Sequence, residues 1–99
     1  MTIFAHASPG DRLRPVPRVT SEQRAAARGA LGERLLLLRR RLGLSQAELA
    51  EHCGVSQSAV SAWELGKSEP QFLDIDPLCE ALGVSYAVLQ GASPLPSRT

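Results

Sequence analysis

The sequence predicts an all-α domain of five short helices, flanked by an extended basic N-terminal arm and a brief C-terminal tail. Three observations carry this. Each run with helical character is preceded by a Ser, Thr or Asp placed to cap free amides. Apolar residues within the runs recur three and four positions apart, the spacing of one helix face. Gly43, Gly54 and Gly66 follow three of the runs, where a helix has to stop. A chain of 99 residues allows one small domain with tails and a core at the lower end of self-sufficiency.

Residues 1–20 contain Pro9, Gly10, Pro15 and Pro17 and show no apolar period, so they form a flexible basic arm in this reading. Thr20 or Ser21 then offers an N-cap, with Glu22 or Gln23 available to the free amides. Leu31, Leu35, Leu38 and Leu42 place one apolar stripe on the helix that follows. Gly29 and Gly32 weaken its middle by about 1 kcal/mol each relative to Ala, which allows a bend there. Leu36 and Leu37 fall off the stripe; they are either incidental surface leucines or a contact for a second subunit or the arm.

Ser45 with Glu48 forms a capping box, which fixes the start of a second helix. That helix carries Leu49 and Cys53 on one face and ends at Gly54, a position suited to a left-handed cap. Ser56 caps a third helix whose Val60 and Trp63 face inward, and Gly66 stops it. Ala50 is small where these two helices cross. Two short helices around one tight turn have helix-turn-helix geometry, in which the second offers its outer face to a DNA major groove. Pro77 would disturb a helix starting just behind Pro70. Asp74 or Asp76 is therefore expected to cap a shorter fourth helix, with Pro77 in its first turn and its end near Leu82. Ser85 caps a short fifth helix that supplies Val84, Val88 and Leu89 as apolar contacts, with Tyr86 available to the core or to a dimer seam. Residues 21–91 make the domain and residues 92–99 a flexible tail.

The formal net charge of +1 conceals a polarised chain. Residues 1–42 hold nine arginines against Asp11, Glu22 and Glu33. Residues 43–91 hold Lys67 alone against seven carboxylates. Such asymmetry points to an anionic partner for the basic half. No apolar run approaches about 18 residues and the first 20 lack the apolar centre of a signal peptide, so a soluble cytoplasmic protein without a membrane partner is expected. Cys53 and Cys79 are too few for a disulfide scaffold and lack zinc-ligand spacing. Both lie on apolar stripes and read as reduced core residues. Catalysis or zinc would need three or four convergent ligands, or a nucleophile beside an oriented base. His6 on the arm and His52 beside Cys53 supply neither, so no enzyme, no metal and no cofactor are expected.

The stretch LGERLLLLRRRLGLSQAELAEHCGVSQSAVSAWELGKSEP, with the later EALGVSYAVL, resembles the Cro/repressor-type (XRE, lambda-repressor-like) helix-turn-helix family over roughly residues 31–91. The resemblance implies a compact five-helix fold and sequence-specific binding of double-stranded DNA, usually by a homodimer on a palindrome. It assigns a phosphate contact to Gln46 and base contacts to Gln57, Ser58, Ser61 and Ala62. Their chemistry fits independently, since Gln57 can pair with an adenine edge, Ser58 and Ser61 can bond bases or phosphate, and Ala62 can touch a thymine methyl. Ser56 and Lys67 complete the expected phosphate contacts, together with Arg40 and Arg41. Arg39 and Glu64 match a pair that bridges the first and third helices in similar proteins; Arg39 serving phosphate is the alternative. The third helix itself carries no cation, so the arm arginines Arg12, Arg14 and Arg18 are expected to reach the duplex as well. The expected role is a transcriptional regulator, a repressor. The competing role is an antitoxin or regulator that uses the fold to hold a protein partner, favoured by the acidic half and by Leu36 and Leu37.

Overall fold

A computed structural model describes residues 18–95, and the two end segments lie outside it. Among the described residues the fold is all-α, with five helices: α1 Ser21–Arg41, α2 Gln46–Cys53, α3 Gln57–Glu64, α4 Phe72–Leu82 and α5 Tyr86–Leu89. Each start is written locally. The Thr20 hydroxyl accepts the Gln23 backbone N–H at 3.0 Å, while the Gln23 side chain accepts the Thr20 N–H at 2.8 Å. Ser45 and Glu48 exchange the same pair of bonds ahead of α2, and Ser56 and Ser85 cap α3 and α5. Gly54 and Gly83 end α2 and α4 in the left-handed conformation, at φ 72° and 66°, which costs an L-residue steric energy that glycine escapes.

The core is a single cluster of Leu35, Leu38, Leu49, Ala50, Val60, Trp63, Leu78, Leu82 and Leu89. Helix α1 packs on α3 and α5, α2 on α3 and α4, and α4 on α5, so α3 is held from two sides. Burying each leucine fully stabilises the fold by about 1.5–3 kcal/mol relative to exposure. Cys53, Cys79, Leu31, Val55 and Val84 pack partly buried against the cluster.

Three expectations are corrected. Helix α1 runs unbroken through Gly29 and Gly32, and Gly32 is the point where the α3 backbone comes up against it. A Cβ built on Gly32 would stand 2.7 Å from the Glu64 carbonyl oxygen, so only a hydrogen fits. Leu42 does not extend the apolar stripe; it is the C-cap of α1 and is exposed. The fourth helix begins at Phe72, not at an aspartate beside Pro77. Asp74 does cap it, but from the inside, its carboxylate accepting the Gln71 backbone N–H at 2.8 Å. Pro77 is then an interior residue, and the carbonyl it leaves without a partner belongs to Leu73, a residue open to water.

Candidate nucleic-acid interface

The turn between α2 and α3 sets the site. Gly54 reverses the chain, Val55 packs inward, and Ser56 restarts the helix with its hydroxyl oxygen accepting the Ala59 N–H at 3.1 Å. Val60 and Trp63 then point into the core. The opposite face of α3 is left outward by the helical period. Gln57, Ser58, Ser61 and Ala62 gather there around one shallow hollow, together with Gln46 and Lys67. Gln57, Ser58 and Lys67 are exposed; Ser61 and Ala62 are half-buried. Leu65 also lines the hollow and is 65% exposed, a member of the face that sequence reasoning missed. Its signal was an apolar residue four positions beyond Ser61 and off the buried stripe.

Arg39 and Glu64 join α1 to α3 beneath this face. The guanidinium Nε donates to Glu64 Oε2 at 2.6 Å and Nη2 to Oε1 at 3.0 Å, while Nη1 donates to the Leu44 carbonyl at 2.8 Å. The two side chains are only 12% and 4% exposed. Burial alone would raise the Glu64 pKa, but hydrogen bonds from Arg39 and Gln46 and the charges of Arg39 and Arg40 outweigh it and hold the group below the usual glutamate range. The bond to Glu64 likewise raises the Arg39 pKa against its partial desolvation. Gln46 does not point freely outward: its Nε2 donates to Glu64 Oε1 at 2.9 Å, and its Oε1 accepts from Gln57 Nε2 at 3.5 Å.

Arg40 and Arg41 are exposed in the last turn of α1, where the chain turns towards Gln46, and Arg18 is exposed ahead of the other end of that helix. Arg12 and Arg14 lie outside the described residues. His52 faces Glu80 at 3.7 Å on the surface rather than either cysteine. Burial raises the pKa of both thiols, reinforced by Asp74 at Cys53 and by Asp76 at Cys79, so they stay protonated at neutral pH. Among the described residues no three His, Cys, Asp or Glu side chains converge as a metal site would require. No helix there is long and apolar enough to cross a membrane.

The helix-turn-helix family model (HTH_3) matches residues 35–89, which run from the last third of α1 to the end of α5. The chain belongs to this family. Within it, the uncharacterized HTH-type transcriptional regulator y4dJ of Sinorhizobium fredii is 37% identical over 62 residues, 63% of this chain and 80% of that protein. The crystal structure of the restriction-modification controller protein C.AhdI from Aeromonas hydrophila superposes with a TM-score of 0.62 at 34% identity, covering 65% of this chain and 97% of that one. The clp gene regulator ClgR from Corynebacterium glutamicum gives a TM-score of 0.61 at 32% identity, over 79% of this chain and 77% of its own. Two of these relatives are regulators by name and the third a controller protein.

Proposed function

We propose that the chain is a sequence-specific double-stranded DNA-binding repressor whose α3 enters the major groove. The observation that carries this is the single outward face of Gln57, Ser58, Ser61 and Ala62, flanked by Gln46 and Lys67, on a helix whose other side is the core. In this reading Gln57 pairs with an adenine edge, Ser58 and Ser61 bond bases or phosphate, and Ala62 and Leu65 meet thymine methyls or sugar. Ser56, Gln46, Lys67, Arg40 and Arg41 hold phosphates, and Arg12, Arg14 and Arg18 add contacts from the arm.

One such face is a small footprint, so specific affinity calls for a homodimer on a palindrome with half-sites about 34 Å apart. Leu36 is half-buried, which leaves Leu37 alone on that flank. The α5 side offers more: Tyr86 is exposed and lines a cleft of about 620 Å³ between α1 and α4. The dimer seam therefore belongs on the α5 side. The second reading, capture of a protein partner, is favoured by Phe72, an aromatic ring 87% exposed.

Selection from random-sequence duplexes followed by gel shift separates the two. An enriched motif with two-fold symmetry, bound by a dimer in sedimentation, is expected. Failure to enrich any motif would defeat the first reading and leave the second.

A further inference from the structure

The Arg39–Glu64 pair has a partner that a purely structural clasp does not need. Glu64 Oε1, which already takes Arg39 Nη2, also accepts from Gln46 Nε2 at 2.9 Å. Gln46 Oε1 is turned the other way and takes Gln57 Nε2 at 3.5 Å. The four side chains form a line from the floor of the domain to the outer face of α3.

We infer that Glu64 is a positioning residue for base selection: through Gln46 it fixes the direction of the Gln57 amide, and so selects which base that amide can read. This rests on Gln57 being a base-reading residue. The two ends of a glutamine amide are nearly the same shape and opposite in hydrogen-bond sense, so an isolated one can turn over. An ionised carboxylate is acceptor-only. Glu64 is 4% exposed and doubly bonded to Arg39, so it neither rotates away nor offers a proton. Gln46 must therefore present its NH2 to Glu64 and its carbonyl to Gln57. Gln57 must answer with an N–H. One N–H and the carbonyl of Gln57 remain, side by side and with their order set. Such an ordered donor and acceptor match adenine N7 and N6–H in the major groove; guanine, with two acceptors there, confronts the carbonyl with O6. An amide free to turn over would lose this order and accept a broader set of bases.

The experiment measures the relative affinity of wild-type protein for its selected duplex and for the three single substitutions at the base pair that Gln57→Ala affects. A ratio of affinities does not depend on the folded fraction, which separates selection from stability. Wild type should prefer one base pair on the order of tenfold. Glu64→Gln, whose amide can offer Gln46 either end, should bring the four duplexes within about threefold of one another. Gln46→Met removes the link while leaving Arg39 and Glu64 paired, and should do the same even if Glu64→Gln fails to fold. Leu82→Ala weakens the core away from the line and should keep the wild-type ratio. A wild-type ratio in either Glu64→Gln or Gln46→Met, beside flattened ratios in Gln57→Ala, would overturn the role of Glu64 while sparing the reading of Gln57. Wild-type ratios in Gln57→Ala as well would overturn both.

Discussion

At Gly32 and Gly29, two glycines of one helix, the same substitution should act in opposite directions. A Cβ at Gly32 would press on the backbone carbonyl oxygens of Trp63 and of Glu64, the latter at 2.7 Å, and being backbone neither can swing aside. At Gly29 a built Cβ meets nothing within 4 Å. Gly32→Ala should therefore part α1 from α3 and lower stability by about 1–3 kcal/mol, the usual cost of overpacking. Gly29→Ala should raise stability by roughly 0.5–1 kcal/mol, because the helix loses a flexible residue and gains a better helix former. Chemical denaturation of the two variants checks both signs, and a stabilised Gly32→Ala would mean that the helices are not in contact there. Sequence reading could not separate these glycines, since close approach of backbones is a tertiary fact and both looked like weak points. It did place Gly54, because a left-handed cap leaves a local signature of helix, glycine and apolar residue.

Helix α4 and the α1–α3 clasp show what an element requires beyond its own sequence. The caps of α1, α2, α3 and α5 were legible because each is a bond between residues three apart. The start of α4 was not, because the usual penalty for Pro77 argued for a later start. The penalty falls on a carbonyl that water can satisfy, and Leu78 and Leu82, both fully buried, hold the helix in place. Pro77→Ala should restore the missing bond and raise the melting temperature, by an amount on the order of 1–3 kcal/mol in stability. An unchanged or lowered midpoint would show that Pro77 is compensated. For the clasp, Arg39→Ala and Glu64→Ala should each destabilise, and the double variant should lose less than the sum by roughly 1 to 3 kcal/mol, since each single change strands a buried partner. Additive losses would deny the coupling. Because the folded-state pKa of Glu64 lies below its unfolded value, its contribution is full above the ordinary glutamate value of about 4.3 and is lost as pH falls below that value through the lower folded-state pKa. Stability should thus fall more steeply in acid for wild type than for Glu64→Gln.

For the whole molecule, the placement of charge bears on affinity more than any one side chain does. Lys67 is the one cation lining the α3 hollow, and Glu64, just beneath, stays ionised. Neutral side chains can choose a sequence, yet affinity for a duplex rests largely on neutralising phosphates and releasing counterions. Arg40 and Arg41 stand at the α2 end of α1, so they can serve phosphates beside Gln46. Arg18 precedes the other end of the 21-residue helix, about 30 Å away at 1.5 Å per residue. From Arg18, Arg14 and Arg12 lie four and six residues back along the chain and could reach at most about 14 and 22 Å, so the phosphates they serve lie towards that end of α1. Deleting residues 1–19 leaves the Thr20 cap in place and removes those three arginines. If all three bind phosphate, affinity for every sequence should drop, and the slope of log K against log salt should shrink by up to about 2.7, at roughly 0.9 for each phosphate no longer neutralised. Gln57→Ala should do the reverse, leaving the slope alone while changing the preference at one base pair. A truncated protein with the wild-type slope and affinity would assign the phosphate contacts to α1 and Lys67 alone. It would also shift weight to the partner-binding reading, since Arg40, Arg41 and Lys67 would then have to hold a polyanion without the arm.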